Sequence, residues 1–266
     1  MSRWLIGLLT LWSGYSLSYE APIEVTVYGD NAYAPYSYEE NNQAKGIYVD
    51  ILNAVFNEMD GYSVTIVPIP WKRGLKLLKL GRGFALFPPY YYSDKRPYIS
   101  PYSEPILNEE VVVYCHPDSV QGQSLQSWPN DYLGLTVAIN EAFELGGSDF
   151  WHHVKQGKIR LREEKGNRLS LLSLYNKKAD CYLNDRMSIL WEKQNMTDEN
   201  VLPKSFRLKF GTVVSSEQGY LGFTRESAKK YPYKTDFIEQ FNFQLNRLKQ
   251  NGTIDNLIKN HLPNDN

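Results

Sequence analysis

The chain has 266 residues, 42% of them hydrophobic, with a formal net charge of −1. That length supports one large core or two small ones. Near-neutral charge without a run of Lys and Arg excludes the electrostatic footprint of a nucleic-acid binder. Aromatic residues make up 14%, with 20 Tyr and 6 Trp, enough to supply stacking surfaces besides a core.

Residues 1–18 read as a secretory signal: Arg3, an apolar stretch from Trp4 to Trp12, then small residues ending at Ser16-Leu17-Ser18. Cleavage near Ser18 would leave Tyr19 as the N-terminus of a periplasmic protein. An uncleaved anchor is the alternative, although the apolar run is short for a bilayer. Cys115 and Cys181 then face an oxidising compartment, each on a strand-like segment. Two buried thiols and a disulfide both stay open. The His residues show no ligand spacing, and neighbours His152 and His153 point apart on a helix, so neither metal nor cofactor is expected.

Ile23–Tyr28 alternates and is rich in β-formers, so it reads as a first strand, closed by Gly29-Asp30-Asn31. Asp30 can make a local backbone hydrogen bond in that turn. Ile51, Leu52, Val55, Phe56 and Met59 mark the buried face of a helix. A strand over Tyr62–Pro68 follows, and Trp71 opens a helix carrying Leu75, Leu77, Leu78 and Leu80. Phe84–Phe87 is a short buried strand stopped by Pro88-Pro89. Ser93 is placed to cap a helix with Asp94 in its first turn and Arg96 two residues later. An arginine just past the end of a strand sits where open α/β sheets bind ligands. Its planar fork of donors suits a carboxylate. A plain surface arginine is the alternative.

Further on, Glu110–Cys115, Gly134–Ile139, Ile159–Glu163 and Asp180–Leu183 read as strands, with helices over Leu169–Tyr175 and Met187–Lys193. Glu144 and Asp185 each precede a helix and can cap it. After Gly211–Val214 and Gly219–Thr224, the tail forms an amphipathic helix (Phe237, Phe241, Leu245, Leu248), then Asn251-Gly252 and a last helix. Strand–helix alternation predicts an α/β protein.

In order and spacing these segments resemble family 3 extracellular solute-binding proteins, the polar-amino-acid receptors of ABC importers. Ser93-Asp94-Lys95-Arg96 with Tyr102-Ser103-Glu104-Pro105 is similar to the signature T-x-x-R-x5-F-S-x-P. Tyr33-Ala34-Pro35-Tyr36 is similar to Y-x-P-[FY], and Asp180 to Asp185 to D-A-x-x-x-D. The tail resembles the closing L-x-x-L-x-x-[DN]-G-x-[IL]. The likeness covers nearly all of residues 22–262. It implies the type II periplasmic-binding fold: two α/β lobes, each a mixed, mostly parallel sheet flanked by helices, joined by a two-strand hinge. Residues 19–108 and 223–266 would form lobe one, and residues 109–222 lobe two. Cys115 and Cys181 would then meet on neighbouring antiparallel strands and form a disulfide.

The likeness also implies a site. Arg96 would grip a ligand α-carboxylate and Asp185 would receive the α-ammonium. Tyr33 and Trp71 would form a two-sided aromatic clamp, and Asp30 stands where receptors for basic amino acids carry an acid. The chain departs from the pattern at Pro89 and Tyr91, where small hydroxyl residues usually stand beside the ligand. It departs again at Ala142-Phe143-Glu144, in place of a G-[ST]-[ST] helix start whose N–H groups help hold a carboxylate. Glu144 there would repel a carboxylate and suit a cationic or hydroxylated ligand. The expected protein is a monomeric receptor, not an enzyme, that closes on a small amino-acid-like solute and delivers it to ABC transporter membrane subunits. A cyclohexadienyl-dehydratase-like enzyme and a receptor coupled to a membrane signalling partner are the alternatives.

Overall fold

The computed structural model describes residues 21–226 and 229–261, so the secretory signal expected at residues 1–18 lies outside the described residues. Strand β1 (Ile23–Asp30) turns Val25 and Val27 into the core. Beside it, β2 (Ala32–Tyr33), β3 (Ser37–Glu40) and β4 (Gln43–Lys45) make a small sheet of their own. Helix α1 (Ile47–Phe56) buries Ile51, Leu52, Val55 and Phe56. The chain continues through β5 (Tyr62–Ile69), α2 (Trp71–Lys79) and β6 (Ala85–Phe87), and both strands pair parallel to β1.

The helix expected at Ser93 is only a turn. The Arg96 N–H donates to the Tyr92 carbonyl at 2.8 Å. Pro97 then disfavours helical backbone at Arg96 and ends the turn. Strand β7 (Ile99–Tyr102) follows.

Strand β8 (Leu107–Cys115) carries the chain into a second sheet with β9 (Thr136–Asn140), β10 (Arg160–Glu164), β11 (Cys181–Asp185) and β12 (Lys209–Gly219). Helices α3 (Gly147–Lys155), α4 (Asn167–Tyr175) and α5 (Arg186–Asp198) accompany them. Their order is β10-β9-β11-β8-β12. Register sets Cys115 directly opposite Cys181 on antiparallel β8 and β11, with Cα atoms 3.9 Å apart, and the two form a disulfide.

Strand β13 (Gly222–Thr224) returns to the first sheet and enters between β6 and β7, giving the order β5-β1-β6-β13-β7. Helices α6 (Lys234–Gln250) and α7 (Thr253–His261) add Phe237, Phe241, Leu245 and Ile254 to the core under α1. In each large sheet two neighbouring pairs run parallel and two antiparallel. The antiparallel share comes from the crossing strands and the return.

β8 and β12 pair antiparallel from Cys115 and Lys209 to Leu107 and Gly219, and join the two lobes. A Cβ on Gly219 would stand 1.7 Å from the Tyr48 hydroxyl oxygen and 3.0 Å from Glu109 Oε1. Any side chain there forces Tyr48 to shift.

Candidate functional site

A cleft between the lobes gathers Asp30, Tyr33, Trp71, Pro88, Tyr90, Tyr92 and Arg96 from the first, and Phe143, Glu144 and Leu145 from the second. The first set lies where β1, β2, α2 and β6 end or begin, and the second follows β9. This is the crevice beyond strand ends where α/β sheets bind ligands.

Arg96 is only 4% exposed. Its guanidinium carbon stands 5.5 Å from the ring centroids of both Trp71 and Tyr92, which fix its plane. Nη2 donates to the Ala142 carbonyl at 3.2 Å, and Nε lies 4.0 Å from Glu144 Oε2. Trp71 Nε1 and Glu144 Oε2 are buried and have no hydrogen-bond partner among the described residues. Glu144 does not cap a helix, because α3 begins at Gly147 with Gly146 as its N-cap.

Phe143, from the second lobe, packs against both Tyr33 and Trp71 of the first. Its ring centroid is 5.5 Å from that of Tyr33 and 6.1 Å from that of Trp71, both edge-to-face. The free space that remains beside Arg96 is about 20 Å³, roughly one water's worth. A larger space of about 700 Å³ opens on the other side of Asp30, Trp71 and Phe143. Phe143 stands out in the sequence only as a departure from the small-residue motif.

Tyr91 is a correction. It is 59% exposed and packs on the outer face, 4.9 Å from Tyr102 and 6.2 Å from Tyr220 between ring centroids. In extended chain, neighbours point to opposite sides. Tyr90 and Tyr92 therefore take the inward positions.

Asp185 also stands apart from Arg96. It lines a different groove, with Tyr36, Asn108 and Trp191. Its carboxylate accepts from the Ser188 N–H at 2.9 Å, capping α5, and from the Glu110 N–H at 3.1 Å. Burial pushes its pKa up to about 6. Asp30 does line the cleft and also accepts from the Ala32 N–H at 2.9 Å, so the turn and the pocket share it. Burial pushes it up to about 7.

Glu109 carries one signal in the sequence, a carboxyl in an apolar strand. It is buried where β8 leaves the first lobe and accepts from the hydroxyls of Tyr33, Tyr48 and Tyr90. Burial, helped by the nearby Asp185 charge, pushes it up to about 8. Tyr33 thus ties the aromatic clamp to the hinge.

Further contacts hold the lobes together. The Ala34 carbonyl accepts from Asn167 Nδ2 at 3.0 Å and Ser188 Oγ at 2.6 Å. Behind it, Asn140, Asn167, Tyr182 and Asn184 form a buried hydrogen-bonded network. Lys72 Nζ reaches Glu141 Oε1 at 2.7 Å on the open rim.

The family model for bacterial extracellular solute-binding proteins, family 3, matches residues 25–264. Among solved structures, a histidine kinase sensor domain similar to periplasmic binding proteins aligns with a TM-score of 0.72 at 18% identity, covering 91% of this chain and 96% of that one. The arginine-, lysine- and histidine-binding protein of Geobacillus stearothermophilus aligns with a TM-score of 0.67 at 17% identity, covering 90% and 95%. An ancestral amino acid-binding protein, a precursor of cyclohexadienyl dehydratase, gives a TM-score of 0.67 at 17% identity, again covering 90% and 95%. A search of curated proteins finds no match. At such identities the structures show a shared two-lobed fold, while the family model spans nearly the whole chain: it belongs to the bacterial extracellular solute-binding proteins, family 3.

Proposed function

We propose that this chain is a periplasmic receptor that closes two lobes, residues 19–108 with 223–266 and residues 109–222, on one small amino-acid-like solute for an ABC importer. The observation that carries this reading is Arg96, buried between two rings and facing the opposite lobe across a cleft. In the proposed set Arg96 takes a carboxylate, Tyr33 and Trp71 hold the body of the ligand, and Asp30 and Glu144 supply acceptors for a cationic group. Asp185 acts on α5 and the hinge, since its oxygens are already engaged by backbone N–H groups. Neighbours that bind amino acids support the ligand class, and the family supports the importer.

A thermal-shift panel of amino acids, polyamines, organic acids and small aromatics tests it. A ligand at about 100 times its Kd adds about 2.7 kcal/mol, a rise of several degrees. A panel without any shift refutes the receptor reading. A second reading, a dehydratase on this scaffold, is favoured by Asp30, whose pKa near 7 suits acid–base work inside the cleft. Turnover of a cyclohexadienyl acid decides for it.

A further inference from the structure

We propose that the loop Glu141 to Leu145 is a built-in occupant of the cleft, and that the solute which displaces it is an aromatic carboxylate. The proposal rests on the receptor reading above and adds the ligand class and its competitor.

The loop is shaped for the task. After β9 the Phe143 N–H donates back to the Asn140 carbonyl at 3.0 Å. Ala142 adopts φ 62°, left-handed backbone that L-residues with a Cβ avoid. That turn carries the Phe143 ring against Tyr33 and Trp71 of the first lobe. Its neighbours are held as well. Arg96 takes the Ala142 carbonyl, Lys95 Nζ the Glu144 carbonyl at 3.4 Å, and Lys72 the Glu141 carboxylate.

The loop therefore offers the first lobe a phenyl ring in the clamp and oxygen acceptors at the guanidinium. It fills the Arg96 end of the cleft so that only about 20 Å³ is free there, room for about one water. About 700 Å³ stays open on the side lined by Asn31, Lys72 and Glu141. A solute that enters from that side must take the loop's place to reach Arg96.

The fit of the loop is incomplete, and what it lacks describes the ligand. Glu144 stops 4.0 Å short of Arg96 Nε, outside hydrogen-bond reach. The Trp71 indole N–H, in a side chain lining the cleft, has no acceptor among the described residues. A carboxylate on a small ring-bearing molecule can reach both donors while its ring replaces Phe143. Buried donors left unpaired are costly, so this gain is made with the ligand and not with the loop. Such a difference between two occupants is what shifts a conformational equilibrium.

The test uses wild type, Phe143→Ala and the milder Phe143→Leu. Small-angle scattering of the ligand-free proteins reads the lobe separation. Calorimetry with L-phenylalanine, phenylacetate, phenethylamine and L-arginine reads the ligand class. Wild type should scatter as a compact particle and Phe143→Ala as a more open one. The ring-bearing carboxylates should bind Phe143→Ala about tenfold tighter than wild type, with Phe143→Leu between, because the competing occupant is gone. Equal scattering radii for wild type and Phe143→Ala, or tighter carboxylate binding by wild type, overturn the built-in occupant whatever the ligand. Phenethylamine or L-arginine binding better than both carboxylates overturns the ligand class. Binding by none of the proteins overturns the ligand class and counts against the receptor reading, while the scattering still decides the occupant.

Discussion

Glu109 should make the fold lose stability as pH rises. Two effects oppose at this carboxyl. Hydrogen bonds from Tyr33, Tyr48 and Tyr90 favour the ionised form, at about 1.5–3 kcal/mol each. Burial and the Asp185 charge favour the neutral form, and they prevail, lifting the pKa from 4.5 to about 8. Between those values the fold keeps a proton that the unfolded chain has released. Stability therefore falls as pH rises, by up to about 1.4 kcal/mol per pH unit, and levels off above the folded pKa. Glu109→Gln keeps an acceptor for the hydroxyls and cannot ionise. From about pH 5 to about pH 8 wild type should lose on the order of 3 kcal/mol more than the variant. Asp30, raised in both proteins, cancels in the difference, and the effect of the Asp185 charge on Glu109 is part of what the difference measures. Urea unfolding followed by tryptophan fluorescence at several pH values measures it. Parallel profiles would refute the reasoning, and a wild type that gains on the variant with pH would mean that the three tyrosines win.

Three further outcomes are expected. Arg96→Lys keeps the charge but loses the fork and the stacking on Trp71 and Tyr92, so affinity for a carboxylate ligand should fall by about tenfold or more. An unchanged Kd in calorimetry removes that role. Replacing both Cys115 and Cys181 with alanine frees a 66-residue separation and should cost about 4 kcal/mol of unfolding free energy in urea. A loss under about 1 kcal/mol would put the bridge's effect in the folded state instead. Gly219→Ala should cost about 1–3 kcal/mol through its clash with the Tyr48 hydroxyl. Adding Tyr48→Phe should recover part of that loss, and strict additivity in the double-mutant cycle would contradict the contact.

The sheets and helices were legible because their signals are local. Alternation found β1, apolar spacing found α1, and Trp71 marked the start of α2. The Ser93 turn misled because its capping residues are sound while Pro97, downstream, overrides them. Motif spacing pointed to Arg96, Tyr33, Trp71 and Asp30, and a departure from the motif to Glu144; all five line one cleft. Tyr91 was misplaced because a run of three tyrosines hides which parity faces inward. Glu109 and Phe143 carry only faint signals in the sequence, and neither signal tells the role. One draws its meaning from hydroxyls on three separate segments, the other from a clamp on the opposite lobe.

The Ala34 carbonyl, held by Asn167 and Ser188, is a main-chain atom. Side-chain changes at position 34 leave that acceptor in place, and the donors lie in the second lobe, away from the residues lining the Arg96 cleft. One anchor between the lobes is thereby independent of what they enclose, whereas Phe143 and the Arg96 bond to the Ala142 carbonyl join them from inside the cleft. A change of cleft residue can alter the inner contacts while the main-chain anchor at Ala34 stays.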